Sequence, residues 1–358
     1  MTRLVLRNSH GYLPPTQWAS LLEQMPLLEH LTLYGTVTLD ESFEYTHPPP
    51  PSTSVVILCL AEINFGDRAG RFGYARPLEH LGLPALRTLT VTEDVYSPHP
   101  IDIELYGYVF YVLASMLSTP AIKPLCCSLS LAKYLFNISL GRTDVEYPAL
   151  RVPGDTESSS THELSFVRLS FWCYDPIENA AMNNFSELTL RLAASPFLSD
   201  IRSLYISKGH KQKLPKDLSV LAQLRLVEKF AYTMDNSVGL LEVLARRAPD
   251  DNTAPLLFPA QTSLTLRHAK WQRHRVQCEH FPLLRQCIER MLTARKAMGV
   301  PLRELCLLDL RSVRSDDDLS WLKTPREDLT VIHWDGKCVR GAESGCIPCE
   351  HQKAELSS

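Results

Sequence analysis

No stretch of the chain reaches the ~18 consecutive apolar residues that a membrane-crossing helix needs. No apolar segment of signal-peptide character follows Met1. The first absence excludes a helical span and the second points away from secretion. Strong charge of one sign is also missing. The 37 Lys and Arg against 40 Asp and Glu leave −3 over 358 residues, too little for a global field that draws in nucleic acid or an anionic membrane. The glycine loops that cradle phosphates are absent, and so is a G-x-S-x-G nucleophile elbow. Twelve histidines are spread singly, and Asp316-Asp317-Asp318 reads as a solvated helix start before Leu319. These absences predict no catalytic activity, no cofactor and no metal, and neither nucleic acid nor membrane as a partner. Ten cysteines are scattered, at core-like places such as Cys59, Cys173, Cys287 and Cys306. Without a secretory signal they read as reduced core hydrophobes in a cytoplasmic or nuclear protein, and the sequons at Asn137 and Asn184 as unused.

What the chain has is a recurring phrase, apolar-Pro-x-apolar-x-x-Leu-x-apolar. It is clearest at Leu83-Pro84-Ala85-Leu86-Arg87-Thr88-Leu89-Thr90-Val91 and recurs at Met25–Leu33. A third copy, Phe258–Leu266, has Gln261 where an apolar residue is expected, and a copy begun at Tyr147 breaks at Pro153-Gly154. Looser copies end at Leu4/Leu6, Leu58/Leu60, Leu129/Leu131, Leu169/Phe171, Leu204/Ile206, Phe230/Tyr232, Leu308/Leu310 and Ile332/Trp334. Gaps between successive copies run from 24 to 44 residues; the shorter ones fit the leucine-rich-repeat period of roughly 20–29, and the longer ones need insertions. Leu188/Leu190 also fits the template but leaves only 16 residues to Leu204, so it reads as helix. A single strand-plus-return unit cannot bury its own apolar face, whereas stacked parallel strands make one continuous core. The prediction is an α/β fold: an irregular leucine-rich-repeat solenoid, a horseshoe of about ten units with parallel strands, over residues 1–336. A disordered tail is expected over 337–358.

Helices are predicted over 15–24, with Trp18, Leu21 and Leu22 on one face, and over 103–117, 176–196, 237–247 and 281–299. In the last, Leu284, Cys287, Ile288, Met291 and Leu292 follow helical spacing and Gly299 ends the helix. Residues 44–54, 61–77, 151–163 and 208–217 read as loops. The first repeat strand follows Met1 with no capping element, which predicts an upstream segment.

Two clusters invite chemistry. Cys338, Cys346, Cys349 and His351 include a C-x-x-C, but their remaining spacing matches no zinc module. Arg267–Arg275 is basic around Trp271, and reads as a turn with Trp271 packed inward. The surface implied by the fold is more informative. Strand residues beside the inward leucines point out on the concave face. The predicted partner-binding set is Tyr34, Thr88, Thr90, Thr92, Arg168, Ser170, Trp172, Tyr205, Thr265, Arg267, Asp309 and Arg311, with His30, Thr32, Ser203, Ser207 and Ser263 beside them. Aromatics and arginine are the types that anchor interfaces.

The phrases at 83–91 and 258–266, the helix-then-strand run from Phe281 to Leu310, and the closing Val331-Ile332-His333-Trp334-Asp335-Gly336 resemble the repeat region of the F-box/leucine-rich-repeat proteins of basidiomycete fungi. The resemblance covers most of 1–336. It implies a protein-binding module that recognises targets for SCF-type ubiquitin ligation, with no catalytic residue in this part. The F-box that docks the ligase adaptor is not found here: Leu13-Pro14-Pro15 resembles its start but leads directly into a repeat. The other expectation is a stand-alone repeat scaffold or regulator with no ubiquitin link.

Overall fold

The recurring phrase forms a turn, and the residues just after it lock one strand to the next. In Met25–Leu28 the Leu28 amide donates to the Met25 carbonyl at 3.0 Å, and in Leu83–Leu86 the Leu86 amide donates to Leu83 at 3.2 Å. Pro26 and Pro84 occupy the second position of these turns, which suits proline's fixed φ. Next, two consecutive amides converge on one carbonyl of the preceding unit. Glu29 and His30 donate to Thr2, Ala61 and Glu62 to Glu29, and Arg87 and Thr88 to Ala61, at 2.7–3.0 Å. The same device recurs where Glu228 and Lys229 share Arg202, Thr262 and Ser263 share Glu228, and Arg303 and Glu304 share Thr262. Each shared carbonyl sets the register of the strand that follows.

The computed structural model describes residues 1–7, 15–34, 55–67, 81–95, 112, 125–132, 135–141, 165–173, 198–208, 219–234, 238–245, 257–268, 281–308, 329, 331–334 and 337–340. They form a mixed α/β structure in two compact units: Met1–Asp144 with Ser159–Asp200 and Gln212–Gln223, and Val145–Ser158 with Ile201–Lys211 and Leu224–Ser358.

The first unit carries β1 (Arg3–Arg7), α1 (Pro15–Glu23), β2 (His30–Tyr34), β3 (Val55–Val56), β4 (Glu62–Asp67), β5 (Leu81–Gly82), β6 (Thr88–Val95), β7 (Cys126–Ala132), β8 (Leu135–Gly141) and β9 (Ser165–Cys173). Its sheet runs β1-β2-β4-β6-β9-β8-β7, and β3 and β5 form a separate parallel pair. β1, β2, β4, β6 and β9 are parallel in register, so Leu4, Leu31, Ile63 and Leu89 form one column and Leu6, Leu33, Phe65 and Val91 the next. Leu31, Ile63, Leu89 and Val91 are fully buried, and burying one such side chain stabilises by about 2 kcal/mol over leaving it in water. Trp18 and Leu22 of α1 are buried as predicted.

Three expectations fail here, the first being the loop over 61–77, since Glu62–Asp67 is β4. Leu58/Leu60 is not a strand: the strand is β4, with Ile63 and Phe65 inward, while Leu60 is buried in the approach to it and Leu58 is exposed. The reason lies in the phrase itself. Ile57-Leu58-Cys59-Leu60-Ala61-Glu62-Ile63-Asn64-Phe65 aligns with Met25–Leu33, with Leu58 in the proline place. The third failure is the all-parallel order, since β8 pairs antiparallel with both β7 and β9. Only two residues join Ala132 to Leu135, and so short a link reverses the chain, whereas a parallel crossover needs about a dozen residues.

The second unit carries β10 (Ser203–Lys208), β11 (Lys229–Met234), α2 (Val238–Ala245), β12 (Ser263–His268), α3 (Phe281–Ala297), β13 (Glu304–Leu308), β14 (Val331–Trp334) and β15 (Lys337–Arg340). β10 to β14 are parallel neighbours in chain order, and β15 turns back antiparallel on β14, so regular structure extends four residues past 336. Leu204, Phe230, Leu264, Leu305 and Ile332 make one column; Ile206, Tyr232, Leu266, Leu307 and Trp334 make the other. The predicted Leu308/Leu310 pair is therefore displaced by three residues. Leu302 buries in the approach, the place Leu28 takes before β2, and this puts Leu305 and Leu307 inward.

α2 and α3 pack on each other. α3 buries Cys287, Ile288, Met291 and Leu292, the predicted face. It ends in a Schellman motif: the Val300 amide donates to Arg295, the Gly299 amide to Lys296, and Gly299 takes φ +76°. The predicted helices over 103–117 (save Val112) and 176–196 lie outside the described residues.

α3 also buries a cation. Arg295 is fully enclosed; its Nη1 donates to the Leu257 carbonyl at 3.3 Å, and its Nη2 to those of Phe258 and Gln261 at 3.0 and 3.3 Å. Burial pulls the guanidinium down to about 10, so it is still charged at neutral pH. The turn it grips holds Phe258 at φ 50°, the one non-glycine residue with positive φ among the described residues. Gln261, out of pattern in the phrase, is buried there and donates from Nε2 to the Ser263 carbonyl at 3.2 Å.

Candidate binding face

Strand alternation turns every second residue of the first unit's sheet away from the leucine columns, and parallel register arranges those residues in rows. One row is Arg3, His30, Glu62, Thr88; the next is Val5, Thr32, Asn64, Thr90, Arg168; the third is Arg7, Tyr34, Gly66, Thr92, Ser170. Trp172 stands opposite Asp94, one step further on. The predicted residues Tyr34, Thr88, Thr90, Thr92, Arg168, Ser170 and Trp172 are thus brought onto one face. Thr88, Thr90 and Thr92 are half-buried and Tyr34 is exposed.

Sequence reasoning missed Arg3, Arg7, Glu62, Asn64 and Gly66. Arg3 and Arg7 flank Leu4 and Leu6 on a strand that was recognised, so alternation alone finds them. The other three follow once the phrase is aligned on Leu60 as the residue before the strand.

These missed residues carry the strongest interactions of the face. Glu62 accepts from Asn64 Nδ2 through Oε1 at 2.7 Å and from His30 Nδ1 through Oε2 at 3.0 Å. An ionised carboxylate can only accept, so Nδ1 carries the proton. The Asn64 donor first, then His30 and the nearby Arg3, outweigh burial and hold the Glu62 carboxyl below its ordinary value of 4.5. In the third row the Tyr34 ring lies over Gly66, where a Cβ would collide with Tyr34 Cδ1 and Cε1. The Arg7 guanidinium sits 5.6 Å from the centre of that ring, a cation–π contact.

The Glu62 arrangement predicts an acid-sensitive contribution. A carboxyl held low in the folded state stabilises above its unfolded value, and that stabilisation is lost as pH falls through the folded value. Glu62→Gln is therefore expected to lower the urea midpoint relative to wild type near neutral pH. The gap is expected to close as pH falls below 4.5 and through the lower value of the folded state. A gap that stays constant across that window would show that the carboxylate is not what the network stabilises.

In the second unit the matching rows are Ser203, Lys229, Ser263, Glu304, then Tyr205, Ala231, Thr265, Cys306, then Ser207, Thr233, Arg267, Leu308. Tyr205 and Arg267 are half-buried, and Tyr205 Oη lies 3.1 Å from Thr233 Oγ1. Thr265 corrects the prediction: it is buried, as are Ala231, Thr233 and Ser263. Its short side chain lies low between flanking strands, so it offers little to a partner. Asp309 and Arg311 lie outside the described residues, as do Cys346, Cys349, His351 and the basic stretch after His268. No group of three potential metal ligands occurs among the described residues, and no described helix is long and apolar enough to cross a membrane. Cys126 and Cys127 are buried side by side, and burial pushes the Cys127 thiol up, away from nucleophilic reactivity.

Comparison with protein-family models, with curated proteins and with solved structures finds no match for this chain.

Proposed function

We propose that the chain is a protein-binding module of the leucine-rich-repeat solenoid type, and that its polar strand face is the surface it uses. The observation that carries this reading is the in-register row system of β1, β2, β4, β6 and β9. It sets hydroxyls, arginines and an aromatic side by side on a rigid sheet. A surface so preorganised loses little side-chain freedom on binding. The charged group best placed for acid–base work, Glu62, is engaged through both oxygens, which favours recognition over catalysis. The resemblance to the fungal F-box/leucine-rich-repeat proteins supports target recognition in SCF-type ubiquitin ligation as the setting of that binding, in the cytoplasm or nucleus. The other reading is a repeat scaffold without ubiquitin.

Photo-crosslinking separates these. A benzophenone side chain at Tyr34 is expected to capture proteins that the same probe at exposed Arg290 of α3 does not. The chain fused behind an F-box is then expected to direct ubiquitin onto those same proteins in a reconstituted ligase. Capture without ubiquitin transfer supports the scaffold reading, and identical capture from Tyr34 and Arg290 removes the face as the binding surface.

A further inference from the structure

We propose that Arg7, seated on Tyr34, anchors a site for an extended acidic segment of a partner protein, one rich in aspartate and glutamate. The inference rests on the reading of this face as a binding surface and names what that surface selects. Its basis is the charge left unspent on the face. Arg3 and Arg7 are exposed at β1. The one carboxylate in the three rows is Glu62, and both of its oxygens already accept hydrogen bonds. Arg7 Cζ stands 5.6 Å from the centre of the Tyr34 ring, a contact that holds the guanidinium without neutralising its charge. Among the described residues no oxygen accepts from its N–H groups.

A planar fork held on an aromatic ring matches the two oxygens of a carboxylate. Gly66 makes the arrangement possible. With any side chain there, the ring could not lie flat and the guanidinium would lose its seat. The alternatives are disfavoured by the same charges. A basic segment lying along the three rows would meet two arginines and no uncommitted carboxylate within them. A neutral one would cover Arg7 and leave a desolvated charge unpaired. Thr92, in the row of Arg7 and Tyr34, and Thr32 and Thr90, in the row beside it, supply hydroxyl donors for the carbonyls of an extended chain.

The test is selection of a random 12-residue peptide library, displayed on phage, against the full chain. The enriched peptides are expected to be net negative. As synthetic peptides they are expected to lose about tenfold or more in affinity on Arg7→Glu, with a smaller loss on Arg7→Lys, which keeps the charge without the fork. Affinity is also expected to fall as salt rises. Exchanging the peptide's acidic residues for arginine is expected to restore binding to the Arg7→Glu chain, which also shows that this variant is folded. Arg7→Gln provides a second, milder variant. Enrichment of neutral or basic peptides whose binding is lost on Tyr34→Ala would overturn the acidic class while leaving the face as the binding surface. Failure to enrich any peptide, or binding indifferent to Arg3, Arg7 and Tyr34 variants, would overturn both.

Discussion

Arg295→Met is expected to destabilise the second unit by about 3 kcal/mol, seen as a fall in the urea midpoint. Two effects oppose each other. Methionine fills much of the same volume and removes the cost of keeping a cation out of water, a cost visible in the lowered proton affinity of the guanidinium. At some buried ion pairs that relief makes an apolar replacement neutral or better. Here the guanidinium meets three carbonyls, those of Leu257, Phe258 and Gln261. The Phe258 carbonyl keeps the Gln261 amide as a donor after the change. The other two lose the donor described here, and a buried acceptor left without one costs about 1–3 kcal/mol. The clamp on Phe258 at φ 50° also goes, releasing a strained residue that is tolerated only while its surroundings hold it. Loss of donors and loss of the clamp act together and outweigh the relief of desolvation. Amide exchange at Gln261 is expected to accelerate in the variant, because the turn its amide closes on the Phe258 carbonyl has lost its support. A variant as stable as wild type would mean that desolvation dominates and that the turn stands without the helix.

The sequence made the alternation legible but not the register. Leu31/Leu33, Leu89/Val91, Leu204/Ile206, Phe230/Tyr232, Leu264/Leu266 and Ile332/Trp334 are all placed on strands in the predicted phase. In all of these but Leu264/Leu266, where Gln261 takes that place, the period-2 pair follows an apolar residue three positions back. That earlier residue is the real marker, since it is the one that buries in the turn: Leu28, Leu60, Leu86, Ile201, Val227 and Leu302 all do so. Where the chain is apolar at more than one phase, as over Ile57–Phe65 and Leu302–Leu310, a template without that anchor slips. The slip at β4 hid Glu62, Asn64 and Gly66, and with them the centre of the candidate face. The hairpin of β7 and β8 was illegible for another reason. Its signal is the two-residue link after Ala132, and a search for a recurring parallel unit does not weigh connection length. Arg295 was unreadable in principle, because an arginine late in a helix ordinarily marks a solvated end. The out-of-pattern Gln261 was the one trace it left, a polar residue at an apolar position beside the carbonyls that Arg295 grips.

Phe230→Ala carries the other large expected effect, a loss of about 4 kcal/mol. Phe230 is buried at the second unit's core, between Leu204 and Leu264 in the column. Its ring centre is 4.9 Å from that of Phe258 and 6.1 Å from that of Tyr232. A cavity of that size cannot close by small adjustments, because the column is pinned on both sides by strand pairing and by the shared carbonyls of Arg202 and Glu228. The loss of ring contacts adds to the cavity term. Phe258 links this change to the one at Arg295: its ring packs on Phe230 and its carbonyl is held by the guanidinium. Removing either support loosens the same residue, so the second removal finds less left to lose. The double variant Phe230→Ala/Arg295→Met is therefore expected to fall short of the sum of the single losses by about 1 kcal/mol, measured from urea midpoints at matched slope. Additivity within error would show that the ring stack and the helix clamp hold Phe258 independently. In that case its left-handed backbone would be set by the tight turn that ends at Gln261 rather than by either partner.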